Sequence, residues 1–245
     1  MYINFSNPMM IGLLIILVIE NLQRYISGNG NIMELIISIP GLLIAITFHE
    51  FAHAFVADKL VDDTPRREGR LSLNPLAHLD PFGTVLMLFV GLGWGKPVAI
   101  NPNNFNRQIS IKKGNALVSI AGPVMNFILA VVFSIIYGLI YRFSGAFILS
   151  TSGQVFMKAL QFTIFMNVGL GVFNLIPLPP LDGSKVLKGI LPDKARIWYE
   201  NHERIMYIVF LVIWIIPSLA TTIISPVINF ININLLKIIT TIALG

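Results

Sequence analysis

The stretch from residue 114 to residue 141 contains 28 residues and no charged side chain. At 1.5 Å per residue, a helix of that length outspans the hydrocarbon core of a bilayer, which is about 30 Å thick. Inside hydrocarbon the backbone must satisfy its own hydrogen bonds, so such a run implies a membrane-spanning helix. Similar runs cover 9–19 (reaching about 26 if Glu20 and Arg24 lie at the interface), 32–57 with Pro40 as an expected kink, and 159–181. The 32 uncharged residues 205–236 exceed one span and are interrupted by Pro217 and Pro226. They read as a span to about 224, then a last span or a surface-lying segment through 244. Residues 82–95 are apolar but too short to cross, and four of them are glycine. A re-entrant segment or a short β-hairpin is expected near 82–102. The fold class expected is an all-α polytopic membrane protein with five to six transmembrane helices.

Of the 245 residues, 55% are hydrophobic and 12% charged, half the charge of a soluble domain. That leaves little chain for a soluble domain. The expectation is one membrane-embedded domain over 1–245, with a core at 32–190 and C-terminal spans at 205–244. The first eight residues carry no basic stretch and no cleavage site follows, so no cleavable signal is expected. Cysteine is absent, which excludes disulfides and thiolate ligands; a metal would be held by nitrogen and oxygen. The net charge of +5 reads as membrane orientation rather than nucleic-acid binding. Of 17 basic residues, eight lie in 59–113 and five in 185–204. Basic loops are cytoplasmic, and two spans separate these two. Both loops and the N-terminus are therefore expected on the cytoplasmic side of a multi-pass cell-membrane protein.

Charge enters the second run abruptly. Residues 35–48 carry none, and then comes His49-Glu50-Phe51-Ala52-His53. Ionisable groups inside a span cost about 2.5–3.5 kcal/mol each on insertion scales and mark function by default. On a helix, positions four apart share a face, so His49 and His53 can hold one metal ion. Glu50, beside them, is placed to take a proton from a water that the metal activates. Two histidines leave zinc short of a ligand. Asp182 ends the stretch 174–183, in which Pro177, Pro179 and Pro180 exclude regular helix. Asp182 is the expected third ligand; as an N-cap of a following helix it would look the same in sequence. Asp80 lies closer to the histidines along the chain and is the other candidate.

These two motifs resemble those of the site-2 protease family of intramembrane metalloproteases, with HExxH in one span and a late NxxPxPxxDG. Gly122-Pro123 with Asn126, the loop 70–81, and the run 93–102 are similar to the short bacterial and archaeal branch without PDZ or CBS domains. The resemblance covers roughly 32–190. It implies one Zn2+ per chain bound by His49, His53 and Asp182, with Glu50 catalytic. It also implies a membrane-spanning protein substrate cleaved at the lipid bilayer, and it puts Asp80 aside. Asn174, where a span stops being helical, is expected either to hold the substrate carbonyl or to cap the freed carbonyls of its own helix. Asn126 is either an ordinary helix–helix hydrogen bond or a contact to the active region. His78 is a turn residue satisfied by backbone or has a supporting role at the site. Pro97 and Val98 belong to a short extended segment, either a docking edge for unwound substrate or a plug. The competing classes are a transporter, which also has broken helices and buried charge but normally two related halves, and an inactive protease-like adaptor.

Overall fold

The computed structural model describes residues 30–90 and 93–244, together with isolated positions 19, 22, 23, 25 and 27. Apart from those positions, the expected first span, 9–26, lies outside the described residues. Ten helices follow: α1 (Ile32–Lys59), α2 (Thr64–Arg67), α3 (Pro81–Val90), α4 (Ile111–Phe143), α5 (Gly145–Leu149), α6 (Thr151–Asn174), α7 (Asp182–Ile190), α8 (Asp193–Asn201), α9 (Glu203–Ile215) and α10 (Pro217–Leu244). Four are long and apolar enough to cross a membrane: α1, α4, α6, and α10 over Thr222–Leu244. Short 3-10 turns occupy Pro75–Ala77 and Pro102–Asn104. Among the described residues no strand forms. One antiparallel bridge, Leu79 with Gly95, closes the excursion made by α3; of the described residues in 82–102, those up to Val90 are helical and 93–101 run as non-helical chain.

The boundaries follow local chemistry. The Asn31 side chain accepts from the Met33 and Glu34 amides and starts α1; Ser110 starts α4 by accepting from the Lys113 amide. Ser150 caps α6 by accepting from Gly153 at 3.1 Å, so that helix begins eight residues before the expected start at 159. Lys158 therefore lies within α6, where its Nζ pairs with Glu34 of α1 at 2.6 Å. The C-terminal run breaks at Ile216–Pro217 rather than near 224. Proline costs nothing at the first turn of a helix, so Pro217 opens α10, while Pro226 is carried inside it.

Helices α1, α4 and α6 pack on one another, and α10 lies against α4 and α6. Ala130, Ile164, Val168, Val172 and Leu235 form the apolar centre where α4, α6 and α10 meet. Closeness between α1 and α6 depends on Gly41, where a Cβ would stand 2.8 Å from the Thr163 Cα. Small residues at such crossings let backbones approach where lipid offers no hydrophobic drive. Helix α7 packs on α4, with Lys112 Nζ donating to the Leu191 carbonyl. The proline-broken link from α6 to α7 is clamped by the Tyr199 hydroxyl, which donates to the Pro177 carbonyl at 2.7 Å.

Candidate metal centre and active site

His49 and His53 lie one turn apart on α1, and Asp182 opens α7. All three are buried, at 5%, 6% and 8% exposure. His49 Nε2 lies 3.1 Å from Asp182 Oδ2, His53 Nε2 3.0 Å from the same oxygen, and the two Nε2 atoms 3.1 Å from each other. The other ring nitrogens decide what this triangle is. His53 Nδ1 sits 2.7 Å from the Val118 carbonyl, which only accepts, so His53 donates from Nδ1. His49 Nδ1 sits 2.7 Å from Asn126 Oδ1 and likewise donates. Neutral imidazoles protonated at Nδ1 turn bare lone pairs inward. With the Asp182 carboxylate, these atoms bring three lone-pair donors to one point. Such a set fits a cation. Bonds of about 2.0–2.2 Å to a tetrahedral zinc keep its ligands roughly 3.3 Å apart, close to the separations here.

The facing wall of α4 fits too. A Cβ on Gly122 would stand 2.5 Å from His53 Nε2 and 2.7 Å from His49 Nε2. That helix leaves a methyl-sized gap in front of the two donor nitrogens. Among the described residues, His49, His53 and Asp182 are the group able to hold a metal. The N-cap reading of Asp182 is not met: Leu181 is the cap residue, and the carboxylate turns to the histidines instead. Asp80 is engaged elsewhere, its Oδ1 accepting from the Gly83 amide in the first turn of α3 at 2.7 Å. Lys185 Nζ stands 3.7 Å from the second oxygen of Asp182.

Glu50 points to the extended chain that follows α3, and its Oε2 accepts from the Val98 amide at 3.2 Å. That chain is held from three sides. The His78 carbonyl accepts from the Lys96 amide at 2.7 Å. The Arg70 guanidinium donates to the Ala77 and Lys96 carbonyls. At its far end, Asp62 takes the Asn101 amide at 2.7 Å and the Asn104 side chain at 3.0 Å, as well as both donors of Thr64. Burial pushes the Asp62 carboxyl up, but the bonds from Thr64, Asn101 and Asn104 outweigh it and hold it below the usual carboxylate range. Pro97 is exposed on this chain and Val98 half-buried.

His78 is fully buried, its Nε2 donating to the Ser72 carbonyl at 2.6 Å, and burial pulls its pKa below that of a free imidazole. Its Nε2 is thus paired with backbone while its buried Nδ1 has no hydrogen-bond partner, and its main-chain carbonyl braces the chain beside Glu50. Asn126 donates to Asn167 of α6 and accepts from His49. Asn174 is half-buried and donates from Nδ2 to the Leu170 carbonyl one turn back in its own helix at 3.0 Å; its second amide proton is not engaged among the described residues. Sequence reasoning missed Asn167, whose amide accepts from Asn126, and the anchoring parts of Arg70 and Asp62.

Residues 95–217 match the model of Peptidase family M50, half of the chain. YwhC of Bacillus subtilis (strain 168), named as a candidate zinc metalloprotease, is 39% identical over 197 residues, covering 80% of this chain and 88% of that protein. This chain belongs to peptidase family M50. Rip2 of Mycolicibacterium smegmatis, also named as a candidate zinc metalloprotease, is 30% identical over 75% of this chain and 68% of its own length. The zinc metalloprotease MJ0392 of Methanocaldococcus jannaschii is 35% identical over 62% of this chain and 34% of its own length. No solved structure matches.

Proposed function

We propose that this protein is an intramembrane zinc metalloendopeptidase that hydrolyses peptide bonds of membrane-spanning proteins. The observation carrying this reading is the buried convergence of three acceptors from His49, His53 and Asp182 in a chain of a peptidase family. These three residues hold the zinc. When bound, zinc acts as a Lewis acid that polarises the scissile carbonyl and lowers the pKa of a water to about 7. Glu50 takes the proton of the attacking water and delivers it to the leaving amine nitrogen. The Val98 amide orients the Glu50 carboxylate for this transfer. Asn174 offers its free amide proton to the substrate carbonyl as negative charge develops there. Pro97 and Val98, running past Glu50, contact the substrate backbone, and His78 supports them.

The whole chain 1–245 acts as a single peptidase domain, with a core at 32–190 and C-terminal spans at 205–244. The helix Pro81–Val90 enters the bilayer without crossing it, and the count of spans is five to six. Partners are the lipid bilayer and a membrane-spanning protein, not nucleic acid. A transporter has no use for a carboxylate placed beside three inward-facing metal donors.

Purified protein in lipid vesicles is expected to cleave a co-reconstituted membrane-spanning peptide, to lose cleavage on chelation, and to regain it with zinc. Asn174→Ala should keep one zinc per chain and cleave about 10²–10³-fold more slowly, the usual cost of one oxyanion donor. Undiminished cleavage in the presence of a strong chelator would overturn the metalloprotease reading. Full activity in Asn174→Ala would return that residue to capping alone.

The cell membrane holds the protein with its active-site side facing the cytoplasm. Lys59 ends α1 only six residues after His53, about 9 Å along a helix, so the site lies near that face. The chain has no cysteine, so introduced ones report cleanly. Cysteines at Lys59 and Lys194 should react with a membrane-impermeant thiol reagent only after the cells are opened. One at Leu149, 80% exposed between α4 and α6, should react in intact cells. The reverse pattern would invert the topology.

A further inference from the structure

Behind His49 stand two amides on two different helices, Asn126 of α4 and Asn167 of α6, both fully buried. An amide left unmatched in such a place is costly, so where each atom goes is informative. Asn167 Nδ2 donates to the Thr163 carbonyl at 2.8 Å. Asn167 Oδ1 accepts from Asn126 Nδ2 at 2.9 Å, and the same Asn126 nitrogen donates its other proton to the Ala45 carbonyl at 3.0 Å. Asn126 Oδ1 accepts from His49 Nδ1 at 2.7 Å.

Chemistry fixes the direction of every bond. Two of the four end on backbone carbonyls, which cannot donate, so each amide nitrogen must lie on the side of its carbonyl. Flipping either amide would press oxygen against oxygen. Both protons of Asn126 are used, and it offers His49 an oxygen and nothing else. His49 must therefore donate from Nδ1, which leaves Nε2 of the neutral ring as the atom that can bind a metal.

We propose that Asn167 is a positioning residue of the metal centre: by taking the second Asn126 amide proton, it holds the Asn126 oxygen on His49 and so fixes the tautomer and ring orientation of that ligand. The proposal rests on the reading of His49, His53 and Asp182 as zinc ligands. The Ala45 carbonyl secures one Asn126 proton by itself. Without Asn167 the second proton is buried with no acceptor, and the amide turns to find one, drawing its oxygen off His49. Groups that orient a ligating histidine in this way typically carry about 10–100-fold in metal affinity. The relay also ties all three central helices to the site, since its bonds touch α1, α4 and α6. A purely structural role predicts something different: a loss of bundle stability with zinc affinity intact.

The full chain is purified in detergent as wild type, Asn167→Leu, Asn126→Leu and the double variant. Zinc affinity is read by competition with a chromophoric chelator, and thermal unfolding is followed on the zinc-free forms. Asn167→Leu should weaken zinc about 10–100-fold, and Asn126→Leu at least as much. The double variant should lose no more than Asn126→Leu alone, because Asn167 acts through Asn126. Unchanged zinc affinity in Asn167→Leu, or losses that multiply in the double variant, overturns the relay. Should Asn167→Leu fail to fold, Asn167→Ala and Asn167→Asp decide instead. Asp keeps an acceptor for Asn126 and must hold zinc more tightly than Ala; equal affinities overturn the proposal. Wild-type protein that takes up no zinc removes the metal-site reading itself, whereas zinc-binding wild type with an unaffected Asn167→Leu removes only the relay.

Discussion

Gly122→Ala is expected to weaken zinc binding while leaving the helical bundle folded. The added methyl carbon would stand 2.5 Å from His53 Nε2 and 2.6 Å from His49 Cε1, against about 3.5–4.0 Å for comfortable contact. Neither ring can retreat freely, because His53 is tied to the Val118 carbonyl and His49 to Asn126. Crowding of this kind costs about 1–3 kcal/mol even where neighbours relax. Since about 1.4 kcal/mol is tenfold in a binding constant, zinc affinity should fall by about 5- to 150-fold. The helix itself gains, since alanine is about 1 kcal/mol better than glycine in a helix interior. The two readouts therefore part: metal content per chain drops while unfolding of the zinc-free protein stays level or shifts upward. A Gly122→Ala protein holding zinc as tightly as wild type would mean that the wall of α4 does not face the metal position.

Much of this site can be read from the chain because its signals are local. His49 and His53 sit at helical spacing in a run otherwise free of charge, and the prolines before Asp182 mark where backbone leaves regular helix. The spans at α1 and α4 are visible for the same reason, since a long uncharged run has one structural outcome in lipid. What stays hidden depends on pairing across distance. Asn167 is one amide in an apolar helix, and only its bond to Asn126, 41 positions away, gives it a role. Asp62 reads as half of a charged Asp62-Asp63 pair, yet it is fully buried and collects bonds from two loops. Asp62 followed by Thr64 is an Asx-turn signal that could have singled it out. The C-terminal break lies at Ile216–Pro217 rather than near 224, because two prolines compete for it. Sequence alone does not say which proline opens a helix and which is carried within one.

Glu50→Gln is expected to leave the zinc in place and remove the activity, and it is the substitution that best separates chemistry from assembly. Glu50 lies on the helix that carries both histidines, yet it stands outside the cluster of His49, His53 and Asp182. Its carboxylate turns instead to the extended chain, where Oε2 accepts from the Val98 amide. Glutamine has nearly the same volume and keeps a carbonyl oxygen that the Val98 amide can reach, so packing is preserved. What it lacks is the basicity to take a proton from the attacking water. A positioned general base contributes about 10²–10⁴-fold, so cleavage of a membrane-spanning peptide should fall by at least that factor. Asp182→Ala supplies the contrast: it removes one corner of the acceptor triangle and should lose zinc and cleavage together. Elemental analysis and cleavage rates on the same preparations read both quantities. If Glu50→Gln loses its zinc, Glu50 belongs to the ligand set. If it keeps zinc and still cleaves within about tenfold of wild type, proton transfer is carried by another group. In that case the chain beside Val98, which holds Glu50 in place, would have to serve some purpose other than aligning the base.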